Sequence, residues 1–544
     1  MKSPLPFLLL LLIFSAPVSA DEQPVSVFIF AGQSNMEGAD SRVEDIQRFP
    51  PFRGLETPQD DVLFWWCLGR ENKSRSEGWE ALQPVRNMVG PELSFARRIK
   101  QSVANRIAII KVAAGGTHLG GDWNPDNPEG FKMYPLALDN IRSALAQLVA
   151  MGLKYKIEAF MWHQGENDMF NADYMPAYGK NLQRFLACWR RDLQQPQLQF
   201  YIGELCTKTI WGMDLRPRMD AISRGQRQVT DTDPIAEYVP TSHIGVEIGS
   251  GVGLHYHYGT LGQLQHGLNY AEAWLNSKKL LPEQDRKLPE WPLTKEKPVR
   301  LFVLAGHRNM EGERAFVQNL ENSDQHADLL TPMNHIPFRY SLGGGVVHSK
   351  DWEPLAPTGH YDNFGPELSF AANLHQAGVE NFCIAKFTHS GSQIIDWTPE
   401  GSEAVSRNLF PSFVEFINSA ITDLEAKGHT VLLDGICYHV GENDTAWMPF
   451  RQGAAQRTAQ IVSQLRVDLT MPELNWYISQ QPPVDDERVN SFDVTAAFQE
   501  KFAHDSFTDH LPLNDLPAQE KKLVLDEAGI IHLGNRLAEA VLNK

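Results

Sequence analysis

Short apolar runs alternate with longer segments of helical periodicity through most of the chain. Several of the runs are apolar on both faces, as expected of a parallel sheet that helices cover on both sides. Strand and helix alternating in this way indicate a three-layer α/β domain with a mainly parallel sheet. In the first half the predicted strands are Val25–Phe30, Ile107–Val112, Ile157–Trp162, Leu198–Ile202 and His243–Ile248, and the predicted helices are Asp139–Met151, Tyr178–Asp192 and Leu261–Leu275.

The second half of the chain repeats the first. Residues 28–38 read FIFAGQSNMEG and residues 302–312 read FVLAGHRNMEG, and the blocks GPELSFA and HQGEND, the latter as HVGEND, recur in the same order. A repeat unit of this length is a whole domain, so we expect tandem domains at 21–282 and 298–544, joined by a Pro-, Lys- and Glu-rich linker at 283–297. The predicted strands of the second half are Leu301–Ala305, Phe382–Phe387, Leu432–Val440 and Leu474–Ser479.

The first twenty residues have the pattern of a secretory signal peptide. Lys2 gives a positive start, residues 7–14 are apolar, and Val18-Ser19-Ala20 gives small residues for cleavage. The apolar run is too short to span a bilayer comfortably. We therefore expect a secreted or periplasmic chain with no stable membrane anchor.

The net charge limits the classes of binding partner, and the cysteine content limits the number of disulfides. The net charge of −18 disfavours binding to nucleic acid and to anionic membrane surfaces. Five cysteines are few for an exported chain of this length, so no disulfide framework is expected, and one bridge or buried free thiols both remain open. The Cys and His spacings show no zinc pattern, and no metal or cofactor is expected.

The repeated motifs fall where the predicted parallel strands end, which is where ligands bind in such folds. GQSNM follows the first strand, GGT follows the second, and HQGEND ends the third. Ser34 of the first motif begins a predicted helix, where its hydroxyl can be exposed. Arg308 stands at this position in the second copy, and a guanidinium cannot attack a carbonyl. The sequence therefore predicts a reactive serine in the first domain only.

These motifs resemble those of the SGNH-hydrolase superfamily, and within it the carbohydrate esterases that include sialate O-acetylesterases and acetylxylan esterases. The resemblance covers most of both halves. It implies the three-layer fold, Ser34 as the nucleophile, and the N–H groups of Ser34 and Gly116 as an oxyanion hole. The residues that carry it, together with a late histidine, are Gly32-Gln33-Ser34-Asn35-Met36, Gly90-Pro91-Glu92-Leu93-Ser94-Phe95-Ala96, Gly115-Gly116-Thr117 and His163-Gln164-Gly165-Glu166-Asn167-Asp168.

The same resemblance implies a side-chain amide as the third oxyanion donor. The superfamily pattern places it at Asn167, and Gln164 is the competitor. The second half keeps Asn443 but has Val440 in place of Gln164, which favours Gln164 slightly and leaves Asn167 a structural role. Gln33 is assigned to the same oxyanion or substrate-binding group.

The general base should be a late histidine ten residues before the glycine that the family places at the start of its last helix. Counting back from Gly267 gives His257, and His255 is the neighbouring alternative. The family usually has an aspartate three residues before this histidine, where the chain has Leu254, or Val252 if His255 is the base.

An acidic substitute for that aspartate is therefore required to orient the imidazole. Glu166 is our prediction, because it is acidic and lies in HQGEND, although its counterpart Glu442 survives in the second half. Glu247 is the other candidate, and a backbone carbonyl in that role also remains open.

By this resemblance we expect a secreted serine esterase that removes O-acetyl groups from carbohydrate of the sialate or xylan type through an acyl-enzyme intermediate. The alternative is a catalytically dead glycan-binding protein, which only the missing aspartate favours. The second domain is predicted to be inactive. Three roles remain open for it: Arg308 fills the former pocket, Arg308 binds a glycan carboxylate or sulfate, or the domain only covers apolar surface of the first domain. We favour the last of these.

Overall fold

A computed structural model shows two α/β domains, each built on one eight-stranded, mainly parallel sheet with helices on its faces. This confirms the predicted fold class. The structure describes residues 23–70, 74–205, 209–210 (backbone only), 213–245, 257–281, 286–323, 325–404, 407–444, 448–480, 492–517 and 524–544.

The first sheet has its most apolar strands at the centre. In chain order the strands of this half are β1 (Val25–Gly32), β2 (Gln59–Leu68), β3 (Ser74–Arg75), β4 (Glu80–Leu82), β5 (Ile107–Ala113), β6 (Tyr155–His163), β7 (Phe200–Gly203), β8 (Thr209–Ile210), β9 (Met213–Asp214) and β10 (Ala236–Val239). The order in the sheet is β10-β7-β6-β1-β5-β2-β3, with β4 on β2, and β8 and β9 pair separately. Every residue of β1 and β5 is buried. The α-helices are Ser34–Glu37, Glu92–Lys100, Met133–Ala150, Tyr174–Asp192, Arg216–Thr232 and Gly259–Ser277, and short 3-10 helices span Val43–Arg48, Pro50–Phe52 and Asp168–Phe170.

The second sheet repeats the first strand for strand. Its strands are β11 (Val299–Gly306), β12 (Met333–Leu342), β13 (Val347–His348), β14 (Glu353–Leu355), β15 (Phe382–Thr388), β16 (Val431–Val440), β17 (Trp476–Gln480) and β18 (Thr508–Pro512). Their order is β13-β12-β15-β11-β16-β17-β18, with β14 on β12. The α-helices are Arg308–Glu311, Val317–Glu321, Glu367–Gln376, Phe410–Ala426, Met448–Asp468, Val494–Phe502 and Glu527–Leu542, and 3-10 helices span Ala327–Leu330 and Ile394–Trp397.

Three parallel strands of the first sheet end level with one another. Gly32, the last residue of β1, pairs with Ala113 at the end of β5 and with His163 at the end of β6. The chain adds strands on one side of β1 and then on the other, so this edge is a topological switch point. The segments that follow the three strands therefore meet at one rim, as the motifs predict.

Two local predictions were wrong. The fifth strand is Ala236–Val239 rather than His243–Ile248, because Pro240 has no N–H with which to continue the ladder; residues 246–248 lie outside the described part. Gly267 does not open the last helix, which begins at Gly259. It lies within that helix, where a Cβ would stand 2.0 Å from the carbonyl oxygen of Pro91, so it allows two helices to pack closely.

The segment between the domains packs against the second core, through Leu288, Trp291 and Leu293. The described cysteines, Cys67, Cys188, Cys383 and Cys437, are buried, while Cys206 and the predicted signal peptide lie outside the described residues. No helix in the described ranges has the length and apolar character needed to cross a membrane.

Candidate active site

Ser34 is the first residue of the short helix that follows β1. The residue is buried, and its Oγ makes no hydrogen bond with any described residue. Gly32 makes this position possible: its φ is 154°, and a Cβ there would lie 2.0 Å from the carbonyl oxygen of His163. A buried hydroxyl with no partner is unusual in a native structure, and such a group fits a site where the partner is a substrate.

The loop after β5 is fastened beside Ser34 by a carboxylate. Glu37 Oε2 accepts a hydrogen bond from the N–H of Gly115 at 2.9 Å, and Glu37 Oε1 pairs with Arg86 at 2.9 Å. A Cβ on Gly115 would lie 3.3 Å from Cβ of Ser34, so the backbone passes directly beside the serine. Gly116 has a φ of 73°, and its N–H has no acceptor among the described residues. That N–H is available to a bound oxyanion.

The side chain of Gln33 orients the amide of Asn167. Gln33 Oε1 accepts hydrogen bonds from the backbone N–H groups of Gly165 at 3.2 Å and Asn167 at 3.4 Å. Because a backbone N–H can only donate, this contact fixes which end of the Gln33 amide is oxygen. Gln33 Nε2 then donates to Asn167 Oδ1 at 3.2 Å. Asn167 is half-buried, and its Nδ2 makes no hydrogen bond within the described ranges, so this donor is left for a ligand. Gln33 itself is fully buried and reaches a ligand only through Asn167.

Both N–H groups of the Gln164 side-chain amide are used within the protein. It is fully buried, and its Nε2 lies within hydrogen-bonding distance of three acceptors, namely Gln33 Oε1 at 3.1 Å, the carbonyl oxygen of Thr117 at 3.0 Å and Asp168 Oδ2 at 2.6 Å. An amide NH₂ has only two hydrogens. The geometry therefore favours Asn167 over Gln164, against the slight preference drawn from the sequence.

Replacement of Asn167 by alanine is expected to lower kcat for acetyl ester hydrolysis by about 10²- to 10³-fold, because it removes one oxyanion donor from a prearranged set. Its KM should change much less, since the donor acts on charge that develops in the transition state. Steady-state kinetics of the variant check this. Asn171→Ala, at a half-buried asparagine on the same loop whose Oδ1 accepts the N–H groups of Asp173 and Tyr174, is the matched control. A folded Asn167→Ala variant with unchanged kcat would exclude Asn167 as a donor.

His257 lies two residues before the Gly259–Ser277 helix and has a carboxylate partner that the sequence analysis missed. Its Nδ1 is 2.6 Å from Oδ2 of Asp40, six residues after Ser34. The hydrogen bond with His257 lowers the pKa of Asp40, and partial burial opposes this only in part. With Asp40 ionised, Nδ1 carries the proton and Nε2 is the nitrogen that can accept one. The alternatives His255 and Glu247 lie outside the described residues.

Glu166, predicted as the acid partner of the base, is placed elsewhere. It is fully buried, and its Oε1 accepts a hydrogen bond from Asn35 Nδ2 at 2.7 Å and lies 3.3 Å from His163 Nε2. Asn35 Oδ1 accepts the backbone N–H of Tyr258, the residue after His257, at 3.2 Å. Glu166 therefore acts on the histidine segment through Asn35 and the backbone, while Asp40 holds the imidazole itself.

The second domain keeps this tether. Asn309 is the counterpart of Asn35: its backbone N–H, in place of the Asn35 side-chain amide, donates to Glu442 Oε1 at 2.7 Å, and its Oδ1 accepts the backbone N–H of Leu525 at 2.8 Å. Leu525 is the counterpart of Tyr258. Because the tether persists where no serine is present, it serves the fold in both domains.

The serine, the histidine and the new aspartate are all absent from the second domain. The corresponding pairs are Ser34 and Arg308, Asp40 and Arg314, and His257 and Val524. Arg308 is buried and forms hydrogen bonds of 2.5 and 2.8 Å with Glu313. Of the roles expected for Arg308, the geometry favours filling the old pocket.

A cationic side chain lies at the edge of the first site. A Cβ on Gly116 would stand 2.7 Å from Nη1 of Arg70, and the Arg70 guanidinium lies 5.1 Å from the ring centroid of Phe131. Arg70 is exposed and forms no ion pair with a described residue. Its counterpart in the second domain is Gly344. A positive charge is thus within reach of a ligand at the oxyanion loop of the first domain.

The comparison with known protein families matches both halves of the chain. The sequence model of the family described as carbohydrate esterase, sialic acid-specific acetylesterase, matches residues 24–276 and again residues 298–543. The chain belongs to this family, as a tandem pair, which confirms the resemblance drawn from the motifs.

Among the relatives of the chain are proteins named as carbohydrate esterases. A probable carbohydrate esterase from Arabidopsis thaliana is 25% identical over 190 residues, which are 32% of this chain and 66% of that protein. Among solved structures, a protein from Arabidopsis thaliana shares 21% identity over 47% of this chain and 99% of its own, with a TM-score of 0.36. A carbohydrate acetylesterase from Xanthomonas citri shares 15% identity over 46% of this chain and 56% of its own, with a TM-score of 0.34.

Proposed function

We propose that the first domain is a serine esterase that removes O-acetyl groups from carbohydrate, with Ser34 as the nucleophile, His257 as the base and Asp40 as the residue that orients it. One observation carries this proposal: the three residues lie at one rim in the first domain, and all three are replaced in the second, while the surrounding tether is kept. The signal-peptide pattern of residues 1–20 supports export of the enzyme.

The reaction is acyl transfer in two steps. His257 Nε2 takes the proton of Ser34 as Oγ attacks the acetyl carbonyl, and the oxyanion is stabilised by the N–H groups of Ser34 and Gly116 and by Asn167 Nδ2. The imidazolium then protonates the departing sugar oxygen. Water, deprotonated by His257, attacks the acyl-serine; the acyl–Oγ bond breaks, the imidazolium returns its proton to Ser34 Oγ, and acetate leaves. Asp40 stabilises the imidazolium in both steps.

The test is acetate release by the purified full chain on O-acetylated sialic acid and on acetylated xylan, together with mass spectrometry of the protein after rapid quenching. We expect turnover and an acetyl group on the peptide that contains Ser34. A folded protein with neither turnover nor acylation would refute the proposal. The alternative, a glycan-binding protein without catalysis, depends on the absent aspartate, and the contact between Asp40 and His257 supports the esterase instead.

Arg70 provides a test of the substrate class. If the substrate is a sialate, Arg70→Gln should raise KM for O-acetylated sialic acid by about tenfold, because the sugar carboxylate loses a charge-assisted hydrogen bond. Neutral acetylated xylo-oligosaccharides should be hydrolysed as before. Arg75→Gln, an exposed arginine on β3, is the matched control. Equal effects of Arg70→Gln on both substrates would argue against a carboxylate in the pocket.

A further inference from the structure

The vestigial site of the second domain is occupied by a segment of the first. Residues 241–245, which follow β10, cross to the second domain, where a Cβ on Gly391 would lie 1.6 Å from the carbonyl oxygen of Ser242. Gly391 is the counterpart of Gly116, the glycine of the oxyanion loop. Gly245 abuts Glu313, the partner of Arg308, since a Cβ on Gly245 would stand 2.0 Å from its Oε2. The segment therefore lies where a working copy would bind its substrate.

Side chains of the second domain hold this docked segment, residues 241–245, in place. Arg407 Nη2 donates to the carbonyl oxygen of Gly391 at 3.0 Å and lies 3.5 Å from that of Ser242. The His243 ring stacks on His360, with centroids 4.5 Å apart and planes inclined by 27°. His243 is buried, and burial lowers its pKa to about 4. The neutral ring is therefore the form that stacks in this interface.

The docked segment also contacts the residues next to the base. Ile244 and Tyr258 form a small buried apolar cluster, and the hydroxyl of Thr241 is 2.7 Å from that of Tyr258. A Cβ on Gly262 would lie 2.9 Å from Cβ of Tyr258 and 3.2 Å from Cγ2 of Ile244. Direct contacts thus lead from the second domain through the docked segment to the residue that follows His257.

A buried carboxylate ties the two domains together electrostatically. Glu204, which follows β7, accepts the N–H groups of Thr241 at 3.1 Å and Ser242 at 3.0 Å. Burial acts to raise the pKa of Glu204, but Arg407 of the second domain, Arg227 and these N–H groups hold it below its ordinary value. The carboxylate that anchors the docked segment is therefore kept ionised in part by the second domain.

From these contacts we infer that the second domain acts as a docking site for residues 241–245 and thereby sets the position of His257. The domain contributes no group to the reaction; it is a positioning device for the first domain's base. The kinetic part of this inference rests on the proposed function, and the structural part does not.

Gly391→Ala in the full chain tests the inference, because the added methyl group cannot coexist with Ser242 in its present place. We expect kcat for acetyl ester hydrolysis to fall by at least about tenfold, since displacement of a catalytic group by about 1 Å has effects of this order or larger. KM should change little, because the substrate contacts of the first domain are intact. Amide hydrogen exchange should become faster in 241–245 and in 258–262.

A second variant keeps the inference testable if Gly391→Ala does not fold. His360→Ala removes the ring that stacks on His243 and should produce the same pattern at smaller amplitude. His375→Ala is its matched control: His375 belongs to the same domain and packs on His335 at the exposed surface, with ring centroids 4.3 Å apart and planes inclined by 48°. It should alter neither kinetics nor exchange in the docked segment.

The possible results distinguish failure of the docking inference from failure of the proposed esterase function. Unchanged kcat and unchanged exchange in folded Gly391→Ala and His360→Ala would overturn the inference. If the wild-type protein hydrolyses no acetyl ester, the proposed function fails, and faster exchange at 241–245 and 258–262 in the variants still supports docking. Faster exchange with unaltered kcat in an active enzyme would show that docking does not position the base, which also overturns the inference.

Discussion

Replacement of Ser34 by alanine is expected to reduce acetyl ester hydrolysis by at least about 10⁴-fold, to near the background rate, because loss of the nucleophile removes the acyl-enzyme route altogether. The fold should be unaffected. Ser34 Oγ has no hydrogen bond to a described residue, so its removal breaks none and relieves an unsatisfied buried hydroxyl. The measurements are kcat with a chromogenic acetyl ester and the thermal unfolding midpoint.

A second buried serine gives the opposite pattern and serves as the control. Ser94 Oγ donates to the carbonyl oxygen of Leu264 at 2.7 Å and lies on the helix packed against Gly267. Ser94→Ala should lose about 1 kcal/mol of stability and keep its turnover. If Ser34→Ala retained turnover, another residue would have to be the nucleophile, and the proposed mechanism would be abandoned.

The fold and the rim could be predicted from the sequence because both depend on local patterns. Apart from Ser26 and Lys111, the buried residues of strands β1 and β5 are apolar or glycine, and Gly32 and the GGT motif mark the ends of strands. The carboxyl ends of parallel strands lie at the same edge of a sheet. Motifs that directly follow these strands are therefore expected to lie close together. The internal sequence repeat then predicts that the second half of the chain has the same fold.

Asp40 could not be found in that way. It is 217 positions from His257 in the chain, and the resemblance directed attention to the residues just before the histidine. The sequence held one signal, namely that Asp40 is replaced by Arg314 in the copy that also lacks Ser34 and His257. Glu166, by contrast, has a counterpart in both copies, as a residue of the tether must.

The choice between Gln164 and Asn167, and the fifth strand, could not be fixed from the sequence for a related reason. Which amide has a free N–H depends on the backbone contacts of Gln33, and these exist only in the folded chain. The apolar pattern at 243–248 predicts a strand, because burial in a sheet and burial in a domain interface leave the same pattern in sequence. His243 is buried against His360 of the other domain instead.

The second large effect is expected at the pair formed by His257 and Asp40. His257→Ala should lower kcat by about 10⁴-fold, as removal of a general base does in triads of this type. Asp40→Asn should lower it by about 10²-fold. The effect is smaller because the Asp40 side chain is 79% exposed, so water can partly replace the carboxylate in stabilising the imidazolium.

A comparison with Glu166 and a double variant identify the acid partner. Glu166→Gln should reduce the unfolding midpoint, because a buried acceptor of the Asn35 hydrogen bond is altered, and should affect kcat less than Asp40→Asn does. Asp40 acts only through His257, so adding Asp40→Asn to His257→Ala should cause no further loss of kcat. A folded Asp40→Asn variant with full activity, beside a folded Glu166→Gln variant that loses about 10²-fold, would return the role to Glu166. The opposite result would show that the aspartate that orients the base comes from the loop that also carries Ser34. The second copy has an arginine at this position, and no activity is expected of it.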